Sequence, residues 1–238
     1  MKIAIMQPYL FPYIGYFSLI RNTDYFVFFD TPQYIRKGWI NRNRILGANG
    51  KDVYFTVPVE KCPRETPIKD VKISYRESWK EKWMGQLTIY KKRAPYYPMV
   101  MQLVQDVLNS DTQYISEMAI DSVIKTCQYL GIGLDYVIYS RMNLPLFEVG
   151  APDEWALKIT QAMKYDTYVN PPGGKAFFNA DKYRNANIEL EFLTQEIQEY
   201  NQRVKEFVPG LSILDVMMFC TPEEIVNMMD LYKIEKGE

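Results

Sequence analysis

Three stretches of the 238-residue chain concentrate side chains that can hold a ligand. QPYLFPYIGY, residues 7–16, offers the amide of Gln7 and the rings and hydroxyls of Tyr9, Tyr13 and Tyr16. It also carries Gly15, where a backbone without Cβ admits close approach. IRKGWINRNRI, residues 35–45, sets Arg36, Lys37, Arg42 and Arg44 around Trp39, with Asn41 and Asn43 between them. Guanidinium groups clamp phosphate or carboxylate bidentately, and an indole face can hold a sugar or a base. A solvated basic face is the plainer reading of such a charge run. YVNPPGGKAFF, residues 168–178, follows Asn170 with Gly173, Gly174 and Lys175. Two glycine amides and a lysine can nest an anion, although the P-loop spacing is absent. A tight turn is the plainer reading there.

Composition narrows the chemistry further. The chain has no histidine, which excludes Ser-His-Asp and Cys-His triads and any imidazole base or metal ligand. Proton transfers must then use carboxylate, Lys, Tyr, Cys, substrate or water. Cys62, Cys127 and Cys220 lie far apart without paired spacing, against a disulfide framework or a zinc site and for a reducing compartment. Cys62 sits near Lys61 and Arg64, which favour a thiolate, but no histidine serves it. A formal net charge of −1 argues against general nucleic-acid binding and leaves room for a local basic patch. MKIAIM meets proline too early for a secretory signal, and no apolar run is long enough for a membrane span. The expected location is cytoplasmic.

The elements around these stretches alternate. KIAIMQ reads as a buried strand, YIGYFSLIRN as a helix starting near Pro12, and DYFVFFD as a second strand, together a βαβ unit. GKDVYFTVPV and IKDVKIS read as strands. Residues 78–130 are helical in pattern, with Gly131 as a stop. LDYVIYS and DTYVN read as strands around the helix DEWALKITQAMKY, IELEFL as the last strand, and Asp215 to Met229 as helix broken at Pro222. The fold class expected is α/β. A Rossmann-like, mainly parallel sheet would be flanked by helices, as one domain over residues 1–238 with a helical excursion near 78–130. In such sheets ligands bind beyond the carboxyl ends of strands, which would bring Gln7, Asp30 and Asn170 to one rim.

MQPYLFPYIGYFSLI, KGWINRNRI, YVNPPGGK and FVPGLSILDVMMF, in that order along nearly the whole chain, resemble the WbqC-like protein family. The opening motif is the most specific of the four. Members occur in bacterial surface-polysaccharide (O-antigen) gene clusters. The resemblance implies a glycine transferase that adds an aminoacyl group to an amino sugar. Members often carry histidine where this chain has Trp83, so either that histidine is not the catalyst or this chain differs in activity. The strand–PYIGY–strand order also echoes the His-Ile-Gly-His nucleotidyltransferases, with Tyr13 and Tyr16 in the histidine places.

The resulting expectation is an enzyme that forms an amide on a nucleotide-linked amino sugar. Asp30 would be general base, Arg42 and Arg44 would take the diphosphate, and Gly173, Gly174 and Lys175 would nest an oxyanion or phosphate. Lys37, Trp39 and Asn41 would add ligand contacts. The activated donor stays open between a thioester on an acyl carrier protein, an aminoacyl-tRNA and an adenylate. No cofactor can be assigned. A non-catalytic sugar-nucleotide-binding component of an assembly complex is the alternative.

Overall fold

The computed structural model describes residues 1–144 and 148–237. Its centre is the apolar strand β1 (Lys2–Met6), whose inner residues are fully buried because sheet neighbours flank it on both edges and helices cover it. Helix α1 (Ile14–Arg21) buries almost its whole length and returns the chain to β2 (Tyr25–Phe28). β2 pairs parallel with β1 from Ile3 opposite Tyr25 to Met6 opposite Phe28. β3 (Arg42–Leu46) and β4 (Asp52–Thr56) form a separate antiparallel hairpin. The helical excursion follows as α2 (Trp79–Leu87), α3 (Tyr97–Leu108) and α4 (Ile115–Leu130), the last ended by Gly131 in the left-handed region.

The sheet then resumes. β5 (Tyr136–Ile138) joins β2, and α5 (Glu154–Ala162) leads to β6 (Thr167–Asn170) on the opposite side of β1. α6 (Ala180–Asn185), β7 (Glu189–Gln195), α7 (Ile213–Phe219), α8 (Pro222–Met229) and β8 (Tyr232–Lys236) complete the chain. The six strands lie in the order β5-β2-β1-β6-β7-β8, all parallel except β8. This is a Rossmann-like α/β sheet flanked by helices. β1 connects outward to β2 on one side and meets β6 on the other, so the carboxyl ends of β1 and β6 flank the crevice where such sheets bind ligands.

Three local expectations are corrected. IKDVKIS is not a sheet strand: after Pro67 it turns as a 3₁₀ segment, Ile68–Asp70, and then makes only isolated bridges, Val59 to Ile73 and Lys72 to Tyr114. Its apolar residues fill the core under the excursion instead. IELEFL is not the last strand, because β8 adds an edge whose mostly exposed residues carry little apolar signal. α1 begins at Ile14 rather than Pro12, since Tyr13 stays extended with ψ 166°. The break at Pro222 is as expected, with Pro222 in the first turn of α8 behind a Thr221–Glu224 capping box.

The loop between β1 and α1 passes through Phe11 at φ 40°, a conformation that costs a non-glycine residue about 1–2 kcal/mol. Its neighbours hold it there. Phe11 N–H donates to Ser122 Oγ (3.0 Å), and its carbonyl accepts from Ser212 Oγ (2.7 Å) and Asn43 Nδ2 (2.8 Å). Asn43 Nδ2 also reaches Leu10 O (3.2 Å), and Pro12 O accepts from Ile213 N (2.9 Å). The Phe11 ring meets Trp83 edge-on at 5.9 Å, and Trp83 stacks on Phe55 at 4.6 Å. Position 83 is therefore buried core beneath the loop.

Asn43→Ala strips the Leu10 carbonyl and weakens the Phe11 turn, so it is expected to destabilise the protein by about 2–3 kcal/mol. Urea unfolding measures this, and an unchanged midpoint would remove Asn43 from its anchoring role.

Candidate functional site

A cleft of about 990 Å³ opens beyond the carboxyl ends of the central strands. β1 contributes Ile5, Met6 and then Gln7; the end of β2 contributes Phe29; β6 contributes Tyr168 and Asn170. The opening loop supplies Tyr9, Pro12, Tyr13 and, from α1, Tyr16. Trp39 and Arg44 come from the hairpin side, and Trp155, Gly173, Gly174, Phe177 and Phe178 from the other wall.

Two glycines decide how close these walls come. A Cβ on Gly174 would lie 2.4 Å from Asn170 Nδ2 and 2.9 Å from the Phe178 ring, so only glycine lets that turn fold against the end of β6. A Cβ on Gly15 would lie 2.5 Å from the Tyr13 ring, which packs closely against the start of α1. Asn170 is held by Tyr168, whose hydroxyl donates to Asn170 Oδ1 (2.8 Å), and donates in turn to Pro171 O (2.8 Å).

The cleft is rich in donors. Tyr16 hydroxyl donates to the Gln7 carbonyl (3.0 Å), fixing the strand end, while the Gln7 amide and the Tyr9 and Tyr13 hydroxyls have no bond to any described residue. Burial pushes the phenols of Tyr9 and Tyr13 up, with Tyr13 adding to the effect at Tyr9. Burial, then Tyr9 and Cys127, pushes Tyr16 further. All three stay protonated and act as donors rather than bases. Arg44 is the sole cation among the lining residues described. It donates to Asp52 Oδ2 (3.2 Å) and Gly210 O (3.2 Å) and lies 5.7 Å from the Trp39 ring. Its Nε is buried without a described partner. Among the lining residues there is no carboxylate, cysteine or lysine, and no described cluster of acidic or thiol groups could hold a metal.

Of the residues singled out in the sequence, Gln7, Tyr9, Tyr13, Tyr16, Trp39, Arg44, Asn170, Gly173 and Gly174 thus share one cleft. The others stand elsewhere. Asp30 ends β2 on the same rim, but it is 3% exposed and both its oxygens accept from Ser140, from the amide at 2.9 Å and from the hydroxyl. It ties β2 to the chain after β5 and does not line the cleft. Asn41 is buried, accepting from Tyr34 hydroxyl (2.8 Å) and donating to Val57 O (2.8 Å). Arg42 donates to the carbonyls of Gly38 and Lys37 and lies 4.4 Å over the Tyr54 ring, outside the lining. Lys37 is exposed at φ 61°, and Lys175 pairs with Glu235 at 2.6 Å on the surface. Sequence reasoning passed over Phe29, Trp155, Tyr168 and Phe178. Tyr168 and Phe178 lay inside a quoted stretch, and Phe29 next to Asp30; Trp155 had no local signal at all.

The fold and the cleft together define an α/β protein with a donor-rich, aromatic cleft at the switch point of a mainly parallel sheet. The chain belongs to the WbqC-like protein family, whose model matches residues 7–227. It is similar to uncharacterized protein Rv1507c of Mycobacterium tuberculosis, 27% identical over 218 residues that cover 91% of this chain and 92% of that protein. No solved structure matches the chain.

Of the four tryptophans, Trp79 and Trp83 are buried in the core, whereas Trp39 and Trp155 line the cleft. Filling the cleft with a sugar nucleotide is expected to quench indole fluorescence, and the Trp39→Phe/Trp155→Phe double variant is expected to lose that response. A quench that persists in the double variant places the ligand outside this cleft.

Proposed function

We propose that the cleft binds a nucleotide-linked amino sugar and that the protein transfers an acyl or aminoacyl group, glycyl in the family's suggested activity, onto its amine. The context would be bacterial surface-polysaccharide (O-antigen) biosynthesis. The observation that carries the reading is the pairing of unpartnered neutral donors with one guanidinium inside an aromatic cleft. Aromatic faces suit a base or sugar ring, and Arg44 suits a phosphate. Protonated tyrosines and the Gln7 amide suit a developing oxyanion, where fixed donors contribute most.

The step needs little else from the protein. The free amine attacks the carbonyl carbon of an activated donor, a C–N bond forms, and the C–S or C–O bond to the leaving group breaks. The proton lost by nitrogen goes to the departing thiolate or alkoxide, directly or through water. Acyl carrier protein or tRNA would present the donor. No step is assigned to Asp30, whose oxygens are engaged by Ser140.

A second reading, a non-catalytic sugar-nucleotide-binding component, is favoured by one observation: no carboxylate, cysteine or lysine is among the lining residues described. Incubating the pure protein with an amino-sugar nucleotide and each donor class, followed by mass spectrometry, separates the two. Acylated product is expected; saturable binding without a mass gain supports the second reading. Arg44→Ala is expected to weaken sugar-nucleotide binding roughly 30-fold, about 2 kcal/mol, in calorimetry. An unchanged dissociation constant removes the phosphate from Arg44.

The pH dependence follows from the raised phenols. Their neutral form persists above the usual tyrosine range, so the tyrosines' contribution to binding should stay constant below about pH 10 and weaken only above it. A tyrosine-dependent loss of affinity near pH 8 would contradict donors held as phenols.

A further inference from the structure

Beside the mouth of the cleft two loops are fastened together. Gln33 bridges Pro67, Tyr34 N–H donates to Thr66 O (2.9 Å), and the Arg36 guanidinium donates to Cys62 O (2.7 Å). Arg36, Lys37, Lys61 and Arg64 stand exposed on these loops, and none makes an ion pair with a described residue. Residues 31–42 contain no acid at all, and the facing loop contributes only Glu60 and Glu65. The turn that carries Arg36 and Lys37 is closed by Gly38 N–H on Ile35 O (3.1 Å), with Lys37 at φ 61°.

Large apolar side chains stand on the cleft lining and on the 35–39 turn beside it. Ile35 is 58% exposed, Trp39 40% and Phe177 53%, and Trp39 and Phe177 both line the cleft. Single exposed apolar residues are ordinary. Two of them on the cleft lining and a third on the adjoining turn, beside cations that make no ion pair with a described residue, match the makeup of a surface that lies on a bilayer. Apolar tips enter the headgroup region while Lys and Arg reach lipid phosphates. A nucleic-acid strand would ask for stacking faces, and Ile35, the most exposed of the three, has none.

We propose that the 35–39 turn, the 61–64 loop and Phe177 seat the mouth of the cleft on an anionic membrane surface. The protein then binds the membrane peripherally, with the cleft opening toward the lipid headgroups. The inference stands apart from the transfer reaction, because it is read by binding alone.

Co-sedimentation of the full chain with phosphatidylglycerol-containing and pure phosphatidylcholine vesicles tests it. Binding is expected only to the anionic vesicles, weakening with salt. Lys61→Gln/Arg64→Gln should lower the partition constant about 25-fold, roughly fivefold per charge. Ile35→Ser should lower it about fivefold. Circular dichroism and urea unfolding confirm that these exposed positions leave the fold intact. Lys91→Gln/Lys92→Gln/Arg93→Gln, which removes three exposed cations elsewhere, should leave binding unchanged. Indole emission should shift to the blue on anionic vesicles, and Trp39→Phe should lose most of that shift. Absence of vesicle binding overturns the proposal, as does equal loss in the 91–93 control. Binding of an oligonucleotide, but not vesicles, through Lys61 and Arg64 would assign the surface to nucleic acid instead.

Discussion

The structure depends on how one peptide turn is held. Phe11 occupies a left-handed conformation that an aromatic residue does not choose by itself, and its N–H and C=O both point into protein rather than water. An unsatisfied buried peptide group costs as much as a lost hydrogen bond, so the turn exists only because Ser122, Ser212 and Asn43 converge on it. Those three partners come from a helix of the excursion, the segment before α7 and the hairpin. The same turn positions Tyr9 and Tyr13 in the cleft. The tyrosine-rich opening is thus a cleft wall whose back is bolted to three distant parts of the chain.

A second buried centre holds the hairpin that supplies Asn43 and Arg44. Asp215 accepts from Tyr90, from Tyr200 (2.6 Å) and from Gln202 (2.9 Å), and Tyr90 oxygen accepts from Leu46 N–H at the end of β3. Burial raises the Asp215 carboxyl pKa despite these donors, whose hydrogen bonds act in the opposite direction. The carboxylate therefore joins the 200–215 segment, the excursion and the hairpin. With Ser212 only three residues away, LSILD serves both centres. In this chain the motifs quoted for the family are as much scaffold as site.

The cleft's electrostatics set it apart from sites organised around a base. Its protonable groups are tyrosines kept neutral by burial and one arginine. Such a site can orient a ligand and stabilise developing negative charge, but the proton must travel through substrate, leaving group or water. The histidine-free composition is consistent with that arrangement. Trp83 lies in the core beneath Phe11 and does not touch the cleft.

Local pattern was enough to read the βαβ start, the parallel sheet, the helical excursion and the break at Pro222, because apolar periodicity and proline act over a few residues. It also marked Gln7, the tyrosines, Asn170 and the Gly173–Gly174 turn, since topology alone brings the carboxyl ends of parallel strands to one edge. Charge and residue type in IRKGWINRNRI did not reveal which side chains face the cleft. Arg42 and Arg44 are two residues apart on β3, yet Arg44 reaches the cleft and Arg42 folds onto the carbonyls of Lys37 and Gly38 over Tyr54. Asp30 ends the expected strand at the expected rim, but Ser140, 110 residues away, takes up its oxygens. Trp155 enters the wall from α5 with no motif around it. Sequence by itself determined the elements and the sheet edge where they end. Only tertiary structure decided which polar groups were left for a ligand, because hydrogen bonds between distant residues consume donors and acceptors that look free in the linear chain.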